Sequence, residues 1–230
     1  MQMITFKSPP PETPFAPSWN HVMGSDFIKK VNFKKVAKII LIKEKSLIKS
    51  LPRTGSGYTI SAPGSAKKEM PDNKFSSIDG YTDLGPDSLT SRYKAYNIFK
   101  WKEKEIQKIK KEIFKLHEIF LKQLNITFDK PLFLKGWANV LRKGQRVKPH
   151  LHAVHPQTYL SGNITVQSDN TSTFYMNPVN QINDPVVHEA KNQAGMVILF
   201  PSCIPHYTNL HEGSHERITI AFDIALREDN

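Results

Sequence analysis

Residues 137–162 read WANVLRKGQRVKPHLHAVHPQTYLSG and place three of the chain's nine histidines within six positions. Successive side chains of an extended strand point to opposite faces, so His150 and His152 share one face while Leu151 turns to the other. Two neutral imidazoles side by side are half of a metal site. The stretch GMVILFPSCIPHYTNLH, residues 195–211, offers a third candidate in His206, which follows an apolar run opened by a glycine. A His-x-His pair with one remote histidine suits zinc, copper, iron or nickel. His155 stands three residues past His152 and just before Pro156. Its reading stays open between a metal ligand and a residue that touches substrate or supports a ligand.

For these histidines to meet, stretches far apart in the chain must become neighbours. After Asn125 the texture changes to short segments, ITF, LFLKGWANVLRK, TYLSGNITVQ, STFYMN, VVHEA, GMVILF, HYTNL and RITIAFDIAL, with no helical period between them. That spacing indicates an all-β sandwich or barrel. A closure that joins an early pair to a late histidine predicts a mainly β fold with supporting helices, its core a jelly roll, or double-stranded β-helix. Within RITIAFDI, Arg217, Thr219 and Ala221 share one face and Ile218, Ile220 and Phe222 the other. An arginine is costly to bury unless it meets an anion, and the neighbouring strand segments offer no obvious acid, so a ligand is the expected partner.

Upstream, WKEKEIQKIKKEIFKLHEIFLKQL (residues 101–124) spaces Ile106, Ile109, Ile113, Leu116, Phe120 and Leu124 three or four apart. This is an amphipathic helix whose stripe needs a sheet to lie on, and His117 on it reads as structural. Residues 27–50 mix apolar residues with lysine and fit either a helix or two short strands. Pro9, Pro10, Pro11, Pro14 and Pro17 make residues 1–20 an extended arm, neither helix nor central strand. The Gly/Pro/Ser-rich segment after Leu51 reads as long loops, with Arg53 to Gly80 as a lid. The chain thus divides into residues 1–100, an arm with loops and lid elements packing on the core, and residues 101–230, a supporting helix with the catalytic core.

Composition sets outer bounds. The 230 residues are 39% hydrophobic, and the apolar run from Val36 to Ile42 is interrupted by Lys38 and too short to span a bilayer. The first residues lack the charged-then-apolar order of a secretion signal, and the single cysteine, Cys203, permits no internal disulfide, which fits a reducing cytoplasm. The formal charge of +11 comes mainly from two lysine runs. It admits a polyanionic partner such as nucleic acid, but lysine on solvated helix faces is the simpler account, since no basic patch interleaved with aromatics is visible.

Several stretches together carry a family likeness: DGYTDLGPDSLTSRYKAYNIFKW from Asp79, Trp137 with Gly144, His150-x-His152 followed by LSG at 160–162, GMVILFPSCIPH ending at His206, and RITIAFDI from Arg217. From Asp79 to the C-terminus the chain resembles the iron(II)- and 2-oxoglutarate-dependent oxygenases, in particular those common among tailed phages of cyanobacteria. The resemblance implies a dioxygenase that hydroxylates a C–H bond of an unidentified substrate with dioxygen while 2-oxoglutarate is decarboxylated to succinate, in the host cytoplasm if phage-encoded. It implies iron(II) held by His150, His152 and His206. It further implies that Arg217, eleven residues after His206, binds the distal carboxylate of 2-oxoglutarate with help from Thr219. Thr165 stands where relatives carry an aromatic that helps to bind this cofactor.

Two further positions depart from the family pattern. His152 replaces the usual carboxylate ligand, as it does elsewhere in the phage-type group, which leaves the site one negative charge short. Asp223 follows Phe222 where relatives often have asparagine. The same residues also resemble the cupin motifs: Gly144 precedes His150-x-His152, and Gly195, Pro201 and His206 approximate the second motif, but the cupin glutamate is missing, with Gln157 nearby. The alternatives are therefore a cupin with a three-histidine metal site and no 2-oxoglutarate, and a metal-free jelly-roll binding protein. Cupins have no need of an arginine at position 217.

Overall fold

A computed structural model describes residues 1–54, 84–85, 87–152, 159–179 and 186–226. In chain order the strands are β1 (Gln2–Lys7), β2 (Asn20–Phe27), β3 (Phe133–Leu141), β4 (Leu160–Gln167), β5 (Ser172–Met176), β6 (Val187–Lys191), β7 (Met196–Pro201), β8 (His206–Thr208) and β9 (Arg217–Ala225). Helix α1 (Phe33–Ser50) follows β2, and α2 (Lys104–Gln123) precedes β3. One sheet has the order β1-β2-β7-β4-β9-β3 and a smaller one the order β6-β5-β8. His150 joins the small sheet by pairing with His206 through two backbone hydrogen bonds of 3.1 and 2.8 Å.

From β3 onward the chain alternates between sheets: β3 large, His150 small, β4 large, β5 and β6 small, β7 large, β8 small, β9 large. This winding is the double-stranded β-helix. Every pairing is antiparallel, so each strand can show a polar row to the space between the sheets and an apolar row outward. Strand β9 does so, with Ile218, Ile220, Phe222 and Ile224 in one large apolar cluster together with Val36 and Ile40 of α1 and Ile106, Ile109, Ile113 and Phe120 of α2. Each such side chain contributes roughly 1.5–3 kcal/mol of burial, which clamps the helices onto the outer face and leaves the inner face for chemistry. Gly162 belongs to this clamp: a Cβ there would overlap the Phe222 ring.

Residues 33–50, which the sequence left between helix and strands, form a helix. Asn32 caps it by accepting a 3.0 Å hydrogen bond from the Lys35 N–H. Buried Glu44 on α1 grips Arg142 just beyond β3 with bonds of 3.1 and 2.7 Å. The supporting helix lies where its periodicity placed it. Ile126 to Phe128, expected as a strand, are not one; Asn125 takes a left-handed turn (φ 54°) and Ile126 is exposed. The N-terminal arm does more than extend. β1 forms the sheet edge, and β2, which the sequence did not single out, is an internal strand paired with β7. Its residues NHVMGSDF lack apolar alternation, so only the unpaired edge of β7 makes them a strand. All five prolines fall between β1 and β2, where no ladder donor is needed. Among the described residues no helix is long and apolar enough to cross a membrane.

Candidate metal centre

The chain brings His150, His152 and His206 together so that their ligating nitrogens lie within 4.8 Å of one another. Each ring is held from its Nδ1 side. His150 Nδ1 donates to the Lys148 carbonyl at 2.8 Å, His206 Nδ1 to the Ile204 carbonyl at 3.1 Å, and His152 Nδ1 meets Asp223 Oδ1 at 2.5 Å. With the proton placed on Nδ1, each Nε2 keeps a lone pair for a metal. His152 Nε2 is buried and has no hydrogen-bond partner among the described residues, an orphaned acceptor that a cation would satisfy. Burial and the neighbouring His152 push His150 down to about 4, and burial with both neighbours holds His206 far below its ordinary range, so these two are neutral and ready to ligate. The rings of Trp137 and Phe200 stand 5.3 and 5.9 Å from that of His152 and wall the cluster.

Arg217 lies in the same interior, only 2% exposed. Its Nε donates to Thr171 Oγ1 at 3.1 Å and a terminal nitrogen to Thr173 Oγ1 at 3.0 Å, and among the described residues no carboxylate pairs with it. Burial lowers its guanidinium to about 10, still charged at neutral pH. Thr219 and Thr165 face each other across β9 and β4, both buried. Asn192 ties this layer together, accepting from Thr173 at 3.0 Å and from Thr165 at 3.4 Å and donating to Thr171 at 3.1 Å. The structure therefore groups Arg217, Thr219 and Thr165 at one end of the interior and the three histidines at the other.

Between the ends stands Tyr175, which sequence reasoning missed. It is fully buried, its hydroxyl accepts a 2.6 Å hydrogen bond from Asn163, and its ring stacks on His206 with centroids 5.8 Å apart. On β5 Tyr175 pairs with His206 and Thr173 with Thr208. The only signal was the alternation in STFYM that puts Thr173 and Tyr175 on one face; the pairing of β5 with β8 was not readable. Asp223, whose role the sequence left open, shares the inner face of β9 and also accepts from Ser161 Oγ at 2.6 Å. Burial would raise its carboxyl, but His152, Ser161 and Lys135 hold it below the ordinary value. His117 is structural as read, its Nε2 2.7 Å from the Tyr159 hydroxyl. His155, Gln157 and all of the lid segment beyond Thr54 lie outside the described residues.

Residues 135–223, from β3 into β9, match the sequence model of a family described as "Putative 2OG-Fe(II) oxygenase". No curated protein matches the chain. Among solved structures it is similar to a prolyl-4-hydroxylase of Pseudomonas putida (14% identity, 56% of this chain and 68% of that one, TM-score 0.43). It is also similar to AviO1 of Streptomyces viridochromogenes Tue57 (14%, 56% and 64%, TM-score 0.44). A third is the viral collagen prolyl hydroxylase of Paramecium Bursaria Chlorella virus-1 (14%, 55% and 76%, TM-score 0.39). The matched segment holds the three histidines, Arg217, Thr219, Thr165, Tyr175 and Asp223, so the similarity to the 2OG-Fe(II) oxygenase family falls on the interior described above. The donor set agrees: three imidazole nitrogens in a walled cluster suit iron(II).

Proposed function

We propose that the protein hydroxylates a C–H bond of its substrate, with His150, His152 and His206 as the iron ligands and Arg217, Thr219 and Thr165 at the 2-oxoglutarate end. When bound, iron(II) and 2-oxoglutarate supply the oxidising chemistry, with dioxygen as co-substrate and succinate as product. The chain's own residues do the rest. Three Nδ1 contacts keep the Nε2 lone pairs aimed at one point, so the ligands are oriented before the metal arrives. The Arg217 fork and the threonine hydroxyls anchor the far carboxylate of 2-oxoglutarate. Tyr175 and Asn163 line the path between, and the Trp137 and Phe200 rings keep water from the metal end.

The observation that carries this reading is Arg217: a buried cation whose hydrogen-bond partners among the described residues are hydroxyls, in the interior that ends at three histidines. Tyr175 faces His206 and Thr173, two residues along the strand, holds Arg217; that offset is about 7 Å, within reach of a five-carbon dicarboxylate. A cupin would need no anion-seeking residue there, and a metal-free jelly roll would leave both ends unsatisfied. Anaerobic addition of iron(II) and 2-oxoglutarate tests it, with a visible metal-to-ligand charge-transfer band expected. Stoichiometric zinc or nickel with no such band would favour the cupin reading.

A further inference from the structure

We infer that Asp223 is a positioning residue that brings a negative charge to an all-histidine ligand set through the far nitrogen of His152. The inference rests on the iron-site reading above. His152 Nδ1 and Asp223 Oδ1 meet at 2.5 Å. They come from opposite ends of the core, 71 residues apart in sequence, so only the fold makes them partners.

The geometry shows more than a chance contact. The His152 side chain is 5% exposed and presents its two nitrogens to different worlds: Nδ1 to the carboxylate, Nε2 to the buried point shared with His150 and His206. A carboxylate on the far nitrogen fixes the tautomer and the ring angle and makes Nε2 a stronger donor. Asp223 is itself fixed by Ser161 Oγ at 2.6 Å, and that hydroxyl lies 2.7 Å from Ser202 Oγ. Ser202 also accepts the His152 backbone N–H through its carbonyl at 3.2 Å. The same two serines therefore hold both members of the pair. On its other side Asp223, 33% exposed, lines a cleft of about 520 Å³ with Lys94, Lys100, Lys110 and Lys135. An anion bordered by water and lysines is far less costly than one enclosed in the barrel.

Iron(II) affinity by chelator competition and the position of the anaerobic charge-transfer band provide the test, with melting of the apo protein as the check on folding. Asp223→Asn should weaken iron about tenfold and Asp223→Ala up to about a hundredfold, with the band displaced from the parent's. His152→Asp alone sets two carboxylates against each other and should lose iron binding, whereas His152→Asp with Asp223→Asn should regain much of it, a non-additive cycle. A folded Asp223→Ala protein with iron affinity within about twofold of the parent and an unmoved band would overturn the inference, as would additive effects in the cycle. A parent protein that binds no iron would instead sink the oxygenase site itself.

Discussion

The two ends of the barrel interior are unfinished in opposite senses. At one end three imidazoles turn lone pairs toward a shared point with no cation there from the chain; at the other, Arg217 carries a buried charge with no anion among the described residues. A protein interior tolerates either state only where a ligand completes it. On the function proposed above, the contrast polarises the interior for one ligand set, metal at the histidines and a carboxylate at the arginine. Tyr175 spans the gap, stacked on His206 and on the strand that holds Arg217.

The largest effect is expected at the histidine end. His206→Ala or His150→Ala should abolish iron binding, because two protein ligands hold iron(II) poorly; metal content after dialysis reads this out, and retention of stoichiometric iron would dissolve the contrast. Next comes the arginine end. Removing one member of a buried charged pair costs roughly 3–5 kcal/mol, so Arg217→Ala should weaken 2-oxoglutarate about a hundred- to several-thousandfold while iron affinity stays put. Calorimetry on iron-loaded protein decides, and unchanged 2-oxoglutarate affinity would remove Arg217 from the site. Arg217→Lys keeps a charge but loses the fork, so an intermediate loss is expected. The smallest effect lies between the ends: Tyr175→Phe deletes one buried hydrogen bond, worth about 1 kcal/mol, and should lower 2-oxoglutarate affinity roughly fivefold without touching iron. A loss of iron from that variant would mean that the two ends are coupled through the ring.

Much of this site could be read along the chain because it obeys local periods. The two-residue repeat set Arg217 and Thr219 on one face of β9 and the isoleucines on the other, and the 3.6-residue repeat drew the stripe of α2 that covers those isoleucines. His150-x-His152 is likewise a local pattern. β2 escaped because NHVMGSDF has no period of its own and becomes a strand through its neighbour. Tyr175 escaped because its meaning depends on β8 lying beside β5.

By itself, then, the sequence determined which residues could ligate a metal, which arginine would need an anion, and that short strands would close around them. All of these follow from side-chain chemistry and from spacings of a few residues. Only the tertiary structure decided that His152 meets Asp223, that Tyr175 stands between His206 and the strand position that holds Arg217, and that no acid of the described chain reaches Arg217. Those facts depend on the register of strands tens of residues apart, which hydrogen bonding across the sheets and the packing of β9 against the helices settle together.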